Sequence, residues 1–283
     1  VAVGANALIA VTTGANNTGI GTNAGYTMTT AGKTTLVGFQ AGYSISAGQT
    51  DADGTVAVGY NSARDLTDGQ YNTALGFEAG TNLTTGNSNT AVGYQAMHGN
   101  DSTAHTSHDN VAIGTNALLV VTTGGGNIAI GSGALDAMSS GSSNVGIGSS
   151  ALGVMTTGVG NVAVGENSGA SLTTEQANTY VGHSTGRFLD DGASNVAIGY
   201  LSMQGTDGTS SNNATYNVAI GRNSLQTVTI GDDNVAVGYA ALADLTTGTQ
   251  NVGIGRLAGG DITTGLYNVF IGNEAGRVAT TQD

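Results

Sequence analysis

The sequence predicts an all-β protein, a parallel β-solenoid (β-roll) of about sixteen 17-residue coils. Three observations predict it. A short phrase, NVAIG at 195–199, returns along the whole chain, for example as NTALG (72–76), NTAVG (89–93), NVAVG (234–238) and NVFIG (268–272). The glycine that closes the phrase returns at a nearly fixed interval. The composition is 39% hydrophobic and only 9% charged, with 48 glycines, no proline and no cysteine. That pattern suits short strands joined by tight turns and is too apolar for disorder.

Aligned on the closing glycine, the copies are anchored at Gly4, Gly21, Gly38, Gly59, Gly76, Gly93, Gly114, Gly131, Gly148, Gly165, Gly182, Gly199, Gly221, Gly238, Gly255 and Gly272. The spacing is 17 residues twelve times, 21 twice and 22 once. Self-similarity at such a period is the mark of a solenoid. Collagen is excluded because glycine does not fall at every third residue. A helix is excluded because glycine recurs too densely and no apolar face is kept at helical spacing. No composition shift or linker divides residues 1–283, so a single repeat domain is expected.

Each column of the repeat has a physical reading. One residue before the anchor stands Val, Ile or Leu in all sixteen copies; three before it stands Val or Ile eleven times and Thr five times. These residues mark one face of a short strand. Seven after the anchor comes a second aliphatic column, including Val11, Met28, Ile45, Leu66, Leu83, Val121, Met155, Leu172, Leu245 and Ile262. It predicts a second strand facing the first across a thin core. The anchor glycine marks a turn of positive φ or close backbone approach, and the TTG stretch (for example 122–124 and 246–248) the opposite turn. The Asn four before the anchor is expected to stack coil on coil as an amide ladder.

Between the two β-branched columns lies a small one, with Ala ten times and Gly three times beside Leu36, Tyr180 and Phe270. Three after the anchor stands another small column, Ala eleven times and Ser four times. With Val and Ile turned inward, these small residues form an uncharged outer stripe, and soluble monomers rarely expose one so long. A strand apolar on both faces is buried on both. A homotrimer packed through the alanine columns is therefore expected, although a dimer satisfies the same reasoning. At strand spacing the coils form a rod of about 75 Å. Glu in place of Ala112, Ala129 and Ala163 is then expected to abolish assembly.

The phrase NVAIGxxA resembles the head repeats of trimeric autotransporter adhesins, which are trimeric left-handed parallel β-rolls. The longer unit, NTAVGYQAM (89–97) with TTG elsewhere, resembles the repeats of phage tail fibres and related bacterial surface proteins. The resemblance covers the whole chain, although autotransporter units are shorter. It implies a structural fibre shaft with an attachment or receptor-binding role, on a virion or at a cell surface. It carries over no catalytic residue. A bacterial adhesin or extracellular filament subunit has the same architecture. An ice-binding solenoid, suggested by the Thr pairs, is a weaker reading because Asp190–Asp191 and Thr229–Ile230 interrupt the array.

Charge narrows the partners. Net charge is −13 with six basic residues, Lys33, Arg64, Arg187, Arg222, Arg256 and Arg277, so the chain lacks the basic footprint of nucleic-acid binding. No stretch has the length of an apolar membrane span. The expected partners are further copies of the chain and host-surface glycans. No enzyme constellation and no cofactor motif appears: AGKTT (31–35) lacks the first glycine of a phosphate loop, and GIGTNAG (19–25) is the repeat itself. The insertions read as outer loops. The second, 98–110, carries His98, Asp101, His105, His108 and Asp109, of which His105, His108 and Asp109 are metal-ligand candidates, while an exposed polar loop explains the same composition. The first carries Asp51 and Asp53 before Gly54, a calcium-loop fragment that also reads as a solvated turn. Immediately after the anchor, successive coils carry Phe39, Tyr60, Phe77 and Tyr94, an aromatic row suited either to stacking on sugar rings or to packing against neighbours. The chain starts and stops in mid-pattern, so continuation within a longer fibre, or head-to-tail stacking, is expected.

Overall fold

A computed structural model of the protein describes residues 1–45, 52–99, 105–208 and 212–277. They form two compact units, Val1–Ser143 and Asn144–Asp283, built from the same coil. Eight strands fall in the first unit, from Ala2–Val3 to Ile128–Ile130, and eight in the second, from Val145–Ile147 to Val269–Ile271. Within each unit every strand pairs in parallel with the next along the chain, column on column. Val162 lies opposite Thr179, Ala163 opposite Tyr180 and Val164 opposite Val181. Each coil therefore places the same repeat position above its counterpart.

Among the described residues each coil holds one strand, not two. The expected second strand is replaced by a return limb of turns that follows the anchor glycine. In the coil anchored at Gly221, Asn223 (φ 57°), Leu225 (φ 47°) and Asp233 (φ 57°) are left-handed, and Gly221 itself has φ 131°. Left-handed backbone costs a non-glycine residue about 1–2 kcal/mol. Coil-to-coil hydrogen bonds offset that cost: the N–H groups of Asn223, Leu225 and Asp233 donate to Tyr200, Ala241 and Thr215 carbonyls at 3.0, 3.0 and 3.1 Å. Irregular backbone thus repeats as faithfully as strand backbone, because each N–H finds its acceptor on a neighbouring coil.

The strand faces are reversed relative to the sequence expectation. The small column is the inner one: Ala112, Ala129, Ala163, Ala197, Ala219 and Ala236 are fully buried. The β-branched columns face outward, with Ile113, Ile198, Ile220 and Ile254 exposed to 38–40%. Volume is the reason. The return limb folds back so closely that only a small side chain fits beneath the strand, and bulk enters from the other limb, through buried Met28, Leu66, Met138, Met155, Leu172 and Leu245. The second small column, including Ala24, Ala79, Ala117 and Ala151, is also inside. Glu at Ala112, Ala129 and Ala163 would bury unpaired charge in the coil and prevent folding; it does not probe assembly.

Bulk is exchanged between two inner columns, the one two before the anchor and the one four after it. Where the first is large, the second is glycine in the same coil and in the coil before. Leu36 lies between Gly25 and Gly42, Tyr180 between Gly169 and Gly186, and Phe270 between Gly259 and Gly276. A Cβ on Gly186 would sit 2.5 Å from the Tyr180 ring, and one on Gly259 2.6 Å from Phe270. Where the first column is glycine, the compensation reverses: Leu8 fills the space over Gly19 and Leu242 that over Gly253, each 2.6–2.7 Å from where a Cβ would stand. Native packing density is thereby kept with unequal residues.

The expected asparagine ladder is present. The backbone N–H of Asn217 donates to Asn195 Oδ1 at 3.0 Å, and its Nδ2 donates to the same oxygen at 3.3 Å and to the Gly231 carbonyl at 2.8 Å. The pattern repeats from Asn161 to Asn178 and from Asn234 to Asn251. In the coils where Thr34 and Thr55 hold the column, the Thr34 N–H and Oγ1 still donate to Asn17 Oδ1, at 3.0 and 2.9 Å. The TTG glycine makes room for this ladder: a Cβ on Gly248 would lie 3.1 Å from Asn251 Nδ2 and 2.5 Å from Leu245.

Asn195→Ala is expected to lower stability by at least about 2 kcal/mol, since it strands a buried donor and a buried acceptor. Asn195→Thr is expected to cost less, and thermal melting compares the two. Tyr180→Ala is expected to cost about 3–5 kcal/mol. Gly186→Leu alone is expected to destabilise by overpacking. Combined, the two should recover part of the loss, because Leu118 and Leu225 already occupy that column at φ 52° and 47°. A double-mutant cycle by denaturant titration reads the coupling.

Candidate contact surface

The aromatic row predicted in the first unit is formed. Phe39 and Tyr60 stack at 5.3 Å, Tyr60 and Phe77 at 5.0 Å, and Phe77 and Tyr94 at 5.5 Å, with interplanar angles of 9–10°. The in-register coils force this stacking, since the residue after each anchor is carried to the same place one strand spacing further on. The four rings are 41–49% exposed. Their inner faces, however, are covered by one another, so the row offers solvent a ribbon of ring edges. Face-on stacking of a sugar is confined to its two ends. Tyr26 and Tyr43 make a further stacked pair at 5.1 Å.

The same column in the second unit carries a row that sequence reading missed. From coil to coil it reads Glu166, His183, Tyr200, Arg222, Tyr239 and Arg256. The His183 and Tyr200 rings stack at 5.4 Å, and His183 Nε2 lies 3.9 Å from Glu166. The Arg222 guanidinium sits 5.3 Å above the Tyr200 ring and that of Arg256 5.9 Å from Tyr239. Arg256 also pairs with Glu274 at 2.6 Å. The signal was in the repeat: reading this column across all coils, instead of searching it for aromatics alone, exposes the alternation of ring and cation.

Of the metal candidates, His105 is buried while His108 and Asp109 are exposed. His105 is bridged to Leu83 in the neighbouring coil and helps fill the core where the inserted coil lacks its aliphatic residue. Its carbonyl accepts from the Thr84 N–H and hydroxyl at 3.0 and 2.9 Å. His108 and Asp109 are exposed and contact each other at 2.9 Å, and His98 lies 3.7 Å from Glu78. Among the described residues no group of three potential ligands converges. Asp101 and Asp51 lie outside the described residues. Asp53, the other half of the calcium-loop fragment, accepts the Gly32 N–H at 2.6 Å and so ties one coil to the next. Lys33, from the AGKTT stretch, occupies an ordinary left-handed turn position with φ 59°.

The first Thr of the turn segment is engaged internally. The hydroxyls of Thr12, Thr122, Thr156, Thr229 and Thr246 donate to carbonyls of the next coil at 2.9–3.2 Å. They serve the coil stack. Two open grooves, of about 420 and 470 Å³, lie on this turn segment, one lined by Asp68, Gln70, Tyr71 and Asn87, the other by Thr174, Glu175, Asp191 and Ser194. Glu175 is spent on the turn itself: its carboxylate accepts the N–H groups of Thr173 and Thr174.

If the row is a stacked surface feature and not a core element, Tyr60→Ala and Phe77→Ala should each cost under about 1.5 kcal/mol, the range of an aromatic pair beyond its buried area. Chemical denaturation checks this.

No family model matches the chain, and neither a curated protein nor a solved structure matches it.

Proposed function

We propose that the chain is the structural shaft of a fibre that attaches to a target surface, of the kind found in phage tail fibres. A bacterial surface adhesin or extracellular filament uses the same architecture. The observation that carries this reading is the outward Val and Ile columns. They repeat coil by coil within each unit, and soluble monomers rarely expose contiguous apolar patches beyond a few hundred Å². A second copy of the chain offers an identical, in-phase ladder to cover them, and symmetric homo-oligomers are the common outcome of such faces. The partner face is thus the β-branched one. The exposed row from Phe39 to Tyr94 serves as the attachment surface in this reading, with host glycans as its target.

Sedimentation of the intact chain is expected to show an elongated homo-oligomer, and electron microscopy rods. Ile198→Glu with Ile220→Glu is expected to give monomers with unchanged circular dichroism, because both side chains point outward. A wild-type chain that sediments as a compact monomer of 27.7 kDa would overturn the shaft reading.

A further inference from the structure

We propose that the row Tyr200–Arg222–Tyr239 of the second unit binds a carboxylated glycan, with Arg222 taking the carboxylate and the flanking phenols the sugar hydroxyls. The proposal rests on the attachment reading above and specifies its ligand. It starts from an imbalance. The chain has 19 acidic and six basic residues. Arg64, Arg256 and Arg277 are each held by a carboxylate, of Asp65, Glu274 and Asp261 respectively. Arg222 makes no ion pair among the described residues, yet it is fixed by the ring of Tyr200 below it. Arg187 likewise makes no ion pair among the described residues, but of the two only Arg222 stands in a row between exposed tyrosines, Tyr200 and Tyr239.

The geometry suits a carboxylate on a sugar. A guanidinium stacked on an aromatic face keeps its planar edge of N–H donors turned outward, in the fork that matches a carboxylate bidentately. Stacking also removes most of the rotamer freedom that a free Arg would lose on binding. Tyr200 and Tyr239 are 47% and 45% exposed. One coil to either side of Arg222, they set a phenol about 5 Å away on each side of it. Donor, charge and donor thus form a line of about 10 Å, the scale of a short oligosaccharide. The ends of the row limit it: Glu166 beside His183 sets a negative charge at one end, and Glu274 neutralises Arg256 near the other. A densely charged polyanion is disfavoured by the net charge of −13. The fitting ligand carries isolated carboxylates on an otherwise neutral chain.

Binding of the full chain to immobilised 3′-sialyllactose and a glucuronate-containing tetrasaccharide, each against its neutral counterpart, tests this. Retention of at least one carboxylated form and neither neutral form is expected. Arg222→Gln should weaken that retention by about tenfold or more. Arg187→Gln, which removes a guanidinium stacked on Phe188 elsewhere, should leave it unchanged. Melting curves confirm that both variants fold. Failure to retain either carboxylated probe, or retention indifferent to Arg222→Gln, overturns the proposal. So does equal retention of a sulfated dextran that modest salt abolishes, which marks charge alone. Binding to neutral glycans that Tyr60→Ala removes would overturn this site while leaving the attachment reading intact. Loss of all binding to target cells by the wild-type chain would instead remove the attachment reading itself.

Discussion

Every coil must lie in register with the next, and the buried amide of one asparagine enforces it. The Asn195 side chain receives both the backbone and side-chain N–H of Asn217 and reaches the Ala214 carbonyl at 2.8 Å. A slip of one residue would leave several buried polar groups without partners, and each such group costs more than a made bond contributes. Fixed register then explains the repetition elsewhere. Left-handed residues recur because their N–H groups need acceptors on the adjacent coil. Glycine recurs at the anchor because a Cβ on Gly199 would lie 2.6 Å from the Gly221 carbonyl oxygen, at a φ of 136° that side chains rarely adopt.

Register also turns single side chains into surfaces. A tyrosine on one coil is an isolated exposed ring; on successive coils it is a row whose faces are shared and whose edges are free. The row of the first unit is neutral, from Phe39 to Tyr94, and that of the second alternates ring and cation through Tyr200, Arg222, Tyr239 and Arg256. The two units therefore present different chemistry from one repeat position, while the outward Val and Ile columns stay nearly constant. Invariance suits a face that meets copies of itself, and variation suits one that meets something else.

Much of this was legible in the sequence. The period, the positive φ of the anchor glycines, the asparagine ladder and the stacking of Phe39, Tyr60, Phe77 and Tyr94 all follow from repetition alone. The orientation of the strand did not. Hydrophobicity assigns Val196 and Ile198 to the core over Ala197, but the space beneath the strand is set by the return limb, which no local pattern reveals. The missing second strand has the same cause: aliphatic residues such as Met155 and Leu172 are buried from turns as readily as from strands. His105 resembled a ligand because its loop is polar, whereas it fills the core in place of an aliphatic residue that the insertion displaced. The Tyr–Arg row was hidden because its members differ in type, and only their shared column relates them.

The exchange of bulk between inner columns limits how such a chain changes length. A coil with Ala at the inner strand position, such as that of Ala219, can be copied or lost with little disturbance to its neighbours. Tyr180 is different, because its ring occupies space ceded by Gly169 in the coil before as well as by Gly186 in its own. Copying that coil alone would set a second ring on the far side of Gly186, which would then have to make room for two rings at once. Leu36, Tyr180 and Phe270 thus act as punctuation in an otherwise uniform text. Gains and losses of repeats during descent are expected to fall between these marks, or to carry a bulky residue together with both of its glycines.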